Sequence, residues 1–376
     1  MKLAIPKERI DGESRVAASV ETVKKLTALG LSVIVESGAG VAASISDALY
    51  QEAGASIAAS EAEALKDADI VFKVRAPEAG ETALMKRGAM VVAIMNPYDD
   101  KARIASYAAA GLNCFAMEFM PRITRAQSMD VLSSQSNLAG YKAVINAAAA
   151  FTRAMPMMMT AAGTIAPARA FIMGVGVAGL QAIATAKRLG CIVSATDVRA
   201  ATKEQVESLG GTFIMVESDE AGDGGGGYAK EMSDDYKRRQ AELVAEHLKK
   251  QDLVITTALI PGRPAPVLVT EEMVKSMKPG SIIVDLAAER GGNCPLTEPG
   301  KTVKKHGVTI IGDLNVAGQL TVDASALYSK NLLNFITPLI NKETKELAIN
   351  WEDEIITGTA LTKDGQVIHP SLQGGN

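Results

Sequence analysis

Two short stretches of the chain carry side chains and turns suited to binding or catalysis. Residues 119–130, FMPRITRAQSMD, set Arg122, Arg125, Gln127 and Asp130 into a polar run between apolar neighbours. The run contains no histidine, cysteine or lysine, so the usual proton carriers and nucleophiles are missing. Fixed charge and hydrogen bonding remain, which serve binding and orientation better than proton transfer. The second stretch, FIMGVGVAGLQAIATAKRLG, spaces Gly174, Gly176 and Gly179 as G-x-G-x-x-G, with Val175 and Val177 beside them. Glycines there permit a tight turn and close approach of backbone to a pyrophosphate, whose charge then meets a helix N-terminus.

An apolar strand precedes this turn and a helix follows it. The next strand ends in Asp197-Val198-Arg199, with Asp197 18 residues beyond Gly179. An acid about 20 residues on is placed to accept a bond from the adenosine ribose and to repel a 2′-phosphate, which favours NAD(H). Arg199 is the competing feature, since an arginine there could receive that phosphate. Asp197 outweighs it by its place at the strand end.

The elements that must position these residues alternate from the start of the chain. Strands are expected at 2–8, 31–37, 68–74, 88–95 and 111–118. Helices are expected near 19–29, with Ser19 as N-cap and Gly30 just past its end, and near 61–67, 80–87 and 100–109. A long helix over 133–151 leads to a second series of strands at 169–174, 191–197, 211–216, 252–257 and 281–286. A helix over 325–340 and a hairpin over 354–370, turning at Lys363-Asp364-Gly365, close the chain. Buried strands alternating with helices imply parallel sheets covered on both faces. The expected fold is therefore α/β, with two Rossmann-like domains. A dinucleotide-binding domain (133–319) is inserted in an N-terminal domain (1–132) that the tail (320–376) completes.

Composition narrows the function classes. With 47% hydrophobic and 22% charged residues the chain can bury two cores, and a net charge of −4 gives no reason to expect nucleic acid or an anionic membrane as partner. Cys114, Cys191 and Cys294 are odd in number and form no Cys-x-x-Cys pair, so neither a disulfide framework nor a metal site is expected. The most apolar region, 143–182, is interrupted by Arg153, Pro156, Pro167 and Arg169 and lacks the about 20 clean residues of a membrane span. His247, His306 and His369 lie in a charged helix, a Lys-rich loop and the tail, and read as exposed or structural. The methionine-rich run MPMMMTAAGT (155–164) suits subunit or interdomain packing.

KERIDGESRVAASVETVKKLTALGLSVIVESGAG (7–40), DADIVFKVRAP (67–77) and the dinucleotide stretch together resemble a known family. It comprises the alanine dehydrogenases and the NAD(H)-binding component of proton-translocating nicotinamide nucleotide transhydrogenase. Arg15 and Lys73 stand where the dehydrogenase branch holds its keto acid. Where that branch has its catalytic histidine, this chain has Asn96-Pro97, and an amine–imine oxidation needs an acid–base group. Arg15 and Lys73 are then expected as structural ion-pair formers. MPRITRAQSMDVLSSQSNLAGY (120–141), MTAAGTIAPAR, TDVRAATKEQVESLGG, GGYAKEM, TTALIPGRPAPVLVTEEMV and VDLAAERGGNCPL are similar to the transhydrogenase branch, so the resemblance spans nearly the whole chain. NVAGQL (315–320) departs from it, replacing a Pro-(Gly/Ser)-Arg turn.

The resemblance implies an enzyme that passes a hydride directly from NAD(H) bound here to NADP(H) on a partner subunit. Arg122 would hydrogen-bond the carboxamide or pyrophosphate, Asp130 would orient Arg122, and Gln127 would bind ribose hydroxyls and align the two nicotinamides. Ser128, Met129 and Ser133 complete the loop contacts, and Gly227, Gln240 and Leu259 are further nucleotide contacts. The glycine patch EAGDGGGGYAK (220–230) reads by composition as a surface linker. By resemblance it is a loop closing over the nucleotide through Tyr228 and Met232. The resemblance further implies a homodimer on the cytoplasmic face of the inner membrane, held through a membrane-spanning subunit and an NADP(H)-binding subunit. The competing readings are a stand-alone alanine dehydrogenase-like enzyme acting on an amino acid or 2-oxo acid, and a non-catalytic NAD sensor.

Overall fold

A computed structural model describes residues 1–216, 233–260 and 262–373. The chain divides into two units, 1–135 with 318–376, and 136–317. The first opens with six short strands: β1 (Lys2–Ile5), β2 (Ser32–Glu36), β3 (Ser56–Ala58), β4 (Ile70–Arg75), β5 (Met90–Ile94) and β6 (Asn113–Ala116). They pair in the order β3-β2-β1-β4-β5-β6, every pair parallel. Helices α1 (Val20–Ala28) and α2 (Lys101–Ala109) are among those that connect them. Ser19 caps α1 by accepting the Thr22 N–H, and Gly30 takes the left-handed conformation just past its end.

The long helix α3 (Val131–Ala150) carries the chain from the first unit into the second. There a two-stranded hairpin, β7 (Met158–Thr160) and β8 (Gly163–Ile165), precedes a seven-stranded sheet. Its strands are β9 (Arg169–Met173), β10 (Ile192–Thr196), β11 (Thr212–Phe213), β12 (Leu253–Thr256), β13 (Ile282–Asp285), β14 (Thr302–Lys305) and β15 (Val308–Ile311). The order is β11-β10-β9-β12-β13-β15-β14, parallel except for β14 against β15. All four residues of β12 and of β13 are buried, as befits strands covered on both faces. Helices α4 (Val177–Arg188) and α5 (Asp234–Leu248) belong to this unit. The chain then returns to the first unit through α6 (Thr321–Ile336), α7 (Glu354–Thr359) and the small hairpin β16 (Thr362–Lys363) and β17 (Gln366–Val367).

The α/β class with parallel Rossmann-like sheets is as expected, but some elements differ. The stretch 354–370 is a hairpin only at its end. Asp353 accepts the Ile355 N–H and starts a helical turn that buries Ile355, Ile356 and Thr359, so the β-branched run folds as α7. Over 80–87 there is only the single turn Ala79–Thr82, and 211–216 shrinks to the two residues of β11. Strands β3, β14 and β15 were not anticipated. β3 is an alanine- and serine-rich edge, and β14 alternates exposed and half-buried residues rather than running apolar.

Candidate functional site

In the first unit, the polar stretch folds as a short 3-10 segment, Thr124–Met129, with the Ala126 N–H bonded to the Ile123 carbonyl and the Asp130 N–H to that of Gln127. Ala126 and Met129 point into the core, at 0% and 7% exposure, while Arg122, Gln127 and Ser128 lie exposed. The spacing of the two anchors makes the polar residues face outward together. Met129, expected beside the cofactor, thus anchors the turn with its side chain. Asp130 stands immediately before α3. Its two oxygens accept the Ser133 N–H at 2.9 Å and the Ser133 hydroxyl at 2.6 Å, in the manner of an N-cap. Asp130 and Ser133, each expected at the site for a different role, are therefore in contact with each other. Arg125 is a strut: its guanidinium grips Asp353 in a bidentate ion pair, at 2.8 and 2.9 Å.

Arg15 and Lys73 are buried among carboxylates, as ion-pair formers. Arg15 bonds Glu13 through Nε at 2.8 Å and through a terminal nitrogen at 2.6 Å, and donates to Gln135. Lys73 lies 2.5 Å from Glu81 and 3.4 Å from Glu8. Burial alone would raise the Glu13 carboxyl, but the bonds and charges of Arg15, with Arg75, bring it down to about 2. Withdrawing either cation from its carboxylate would strand a buried charge at about 3–5 kcal/mol. Asn96 has a left-handed backbone (φ 46°). Its N–H and that of Met95 are held by Glu118, whose carboxyl burial pushes up to about 7. The three histidines are structural or exposed: His247 bonds Ser194 against the Phe171 ring, His306 bonds Glu271, and His369 bonds Ser371 and the Gly358 carbonyl.

In the second unit, the expected residues converge on the carboxyl ends of β9, β10 and β12, where Met173, Thr196 and Thr256 are in register. That is where an open parallel sheet of this order binds its ligand. Gly174 has φ +101°, and a Cβ on it would lie 2.4 Å from the Thr257 hydroxyl. A Cβ on Gly179 would lie 1.9 Å from the Gly174 carbonyl, so this glycine lets α4 pack on the turn. Gly176, by contrast, has nothing within 4 Å of its Cβ position, which leaves the approach to the backbone open. It is the N-cap of α4 and has no side chain to cap the first amides of that helix. Val175 is buried, Val177 is 39% exposed on the first turn, and Val198 is half-buried. An open backbone at a helix N-terminus, next to a carboxylate, suits a pyrophosphate and its neighbouring ribose.

That carboxylate is fully engaged. Asp197 Oδ2 accepts the Val175 N–H at 2.7 Å and an Arg199 terminal nitrogen at 2.8 Å. Oδ1 accepts the Arg199 backbone N–H and Nε, both at 2.9 Å. Gln240 reaches the same strand end: its amide donates to Thr196 and accepts from the Val216 N–H. Leu259 is 46% exposed on the loop after β12. Asn293 pins that loop by bonding both the N–H and the carbonyl of Ala258 and the carbonyl of Pro266. Nothing in the local pattern marks this asparagine beyond its place in the GGNCPL stretch. Gly227, Tyr228 and Met232 lie outside the described residues.

A doubly wound parallel sheet, with a glycine turn after its first strand and an acid after its second, defines a dinucleotide-binding α/β protein. Family models described as alanine dehydrogenase/PNT, N-terminal domain, and alanine dehydrogenase/PNT, C-terminal domain, match residues 4–139 and 143–370. The chain belongs to the alanine dehydrogenase/PNT family and, in family terms, is an oxidoreductase. It is 59% identical over 381 residues to the first part of NAD(P) transhydrogenase subunit alpha of Rhodospirillum rubrum, covering 100% of this chain and 99% of the relative. The crystal structure of transhydrogenase from Sinorhizobium meliloti is similar with a TM-score of 0.90 at 56% identity, over 98% of this chain and 100% of that one. The alanine dehydrogenase of Halomonas elongata is a more distant relative, 29% identical over 99% of this chain and 96% of the relative.

Proposed function

We propose that the chain is the NAD(H)-binding subunit of a proton-translocating transhydrogenase. When bound, its cofactor supplies a hydride at the nicotinamide ring, exchanged directly with NADP(H) on a partner subunit. The observation that carries this reading is the 3-10 turn at 124–129, which presents hydrogen-bonding groups without a proton carrier. Hydride exchange between two nicotinamides moves no proton at the reacting carbons, so positioning is what the protein must supply. Arg122 hydrogen-bonds the carboxamide or pyrophosphate, and Gln127 the ribose hydroxyls. Asp130 orients Arg122, and Ser128, Met129 and Ser133 complete this end of the site. The turn from Gly174 to Gly179 takes the pyrophosphate and Asp197 the adenosine ribose, with Val175, Val177, Val198, Arg199, Gln240 and Leu259 around them. Gly227 and Tyr228 belong to the same proposal.

The transhydrogenase relatives are named as subunits, which supports partners for this chain. In the proposed complex one partner spans the membrane and another binds NADP(H). No helix among the described residues is long and apolar enough to cross a membrane. Attachment to the cytoplasmic face, and proton translocation, then belong to the partners. The deciding experiment measures reduction of an NAD analogue by NADPH, with and without an NADP(H)-binding transhydrogenase component. Turnover only with that component is the expected result. Turnover of alanine or pyruvate by the chain alone, or NADH binding with neither activity, would overturn it.

The proposal includes a homodimer, supported by the β7–β8 hairpin. Met157, Met158, Met159 and Ile165 are 59%, 46%, 78% and 41% exposed there, an apolar cluster of the kind that marks an interface. Sedimentation should give twice the 39.3 kDa chain mass, and Met159→Asp should shift it towards a single chain. A single-chain mass for the unaltered protein at micromolar concentration would sink the homodimer.

A further inference from the structure

We infer that Asn331 and Asn334 are positioning residues for Gln127, acting through the carbonyl of Ser128. Both lie on α6, three residues apart and therefore on one face of the helix. Each donates its side-chain amide to the same acceptor, the Ser128 carbonyl, at 2.9 Å from Asn331 and 3.0 Å from Asn334. A carbonyl oxygen has two lone pairs, and two donors from fixed points set its direction within the peptide plane. That carbonyl lies in the peptide joining Ser128 to Met129, one residue beyond Gln127 in the 3-10 segment.

Hydrogen-bond satisfaction accounts for the buried Asn331 amide but does not require the second donor, Asn334, which is half-buried. Ser128 is exposed, and water could serve its carbonyl without ordering two side chains. Packing does not explain Asn334, which is half-buried, whereas Asn331 is buried with Leu332, Leu333, Phe335 and Ile336 at 7% exposure. Asn331 is itself oriented: its Oδ1 accepts the Ser134 hydroxyl at 2.7 Å, which ties it to the first turn of α3 beside the Asp130 and Ser133 pair. The Arg125–Asp353 ion pair holds the turn from the residue two before Gln127, and the asparagines hold it from the residue after. The turn is thus clamped on either side of the residue whose reach matters, by groups more than 200 positions away in the chain.

The inference rests on the proposed role of Gln127 in hydride exchange. Its test uses Asn334→Ala and, to keep the side-chain volume while losing the donor, Asn334→Asp in the full chain. Three quantities are measured: NADH affinity, thermal midpoint, and turnover between NADPH and an NAD analogue with an NADP(H)-binding transhydrogenase component. Turnover should fall about tenfold in both variants, since small misplacements weigh heavily on a reaction that depends on alignment. NADH affinity should stay within about twofold and the thermal midpoint unchanged. Unchanged turnover in either folded variant, or an affinity loss equal to the turnover loss, would overturn the inference while leaving the function standing. If the unaltered chain binds NADH but shows no partner-dependent turnover, the function reading fails first and the inference falls with it.

Discussion

Gln127→Asn should slow hydride transfer between NADPH and an NAD analogue about 100-fold while changing NADH affinity less than about threefold, because a displacement near 1 Å suffices for such a loss. The substitution keeps the amide and removes one methylene. The backbone of the turn should not follow to compensate, since Ala126 and Met129 are buried in the core on either side of it. Ser128 is gripped by two asparagines and Arg125 by Asp353, so the shortened amide is left short of its target. A binding residue loses affinity and rate together, whereas an aligning residue loses rate alone. Pre-steady-state turnover with an NADP(H)-binding component, set beside calorimetric NADH binding, separates the two. Equal losses in both would reduce Gln127 to a simple binding residue.

Asp197→Ala should weaken NADH binding about 10- to 100-fold and narrow the preference for NADH over NADPH. A hydrogen bond to a charged group contributes about 1.5–3 kcal/mol, which converts to that range. Burial acts to raise the Asp197 carboxyl, but the bonds from Arg199 and Val175 outweigh it and hold the group below the usual carboxylate range. It is therefore an anion at any working pH, and it repels a 2′-phosphate. All four of its acceptor positions are taken, three by Arg199 and one by Val175, so a ribose hydroxyl must displace part of the Arg199 guanidinium. Removing the carboxylate also releases that guanidinium, which could then meet a 2′-phosphate. Titration with NADH and NADPH in parallel checks both halves. An unchanged NADH affinity would remove Asp197 from the site.

Much of this architecture was legible in local patterns. Short apolar runs bounded by glycine and charge announced most of the central strands, because a strand covered on both faces needs side chains of one kind only. The glycine turn was legible for a stronger reason: its three positions impose different steric demands, and each is met by the absence of a Cβ or by open space. The 3-10 turn at 124–129 was visible as a polar island, and the missing proton carrier could be read directly. Where local pattern misled, tertiary packing was responsible. The run 354–359 looked extended by composition, yet one capping aspartate and a buried face made it helical.

Other features left no local trace. Asp353 reaches Arg125 across 228 positions, and Asn334 reaches Ser128 across 206. An asparagine on a helix has no periodicity that marks a distant carbonyl as its partner. The engagement of Asp197 by Arg199 is short in sequence, two positions, but the sequence posed those residues as opposed signals, one repelling a 2′-phosphate and the other able to receive it. Folding makes them partners, because a buried carboxylate at a strand end is costly until a cation meets it. By itself, then, the sequence determined which chemistry was possible: two α/β sheets, a backbone turn for a pyrophosphate, and a loop able to orient but not to carry protons. Tertiary structure alone decided which side chains hold that loop still, since that depends on directional bonds between residues that only the fold brings within about 3 Å.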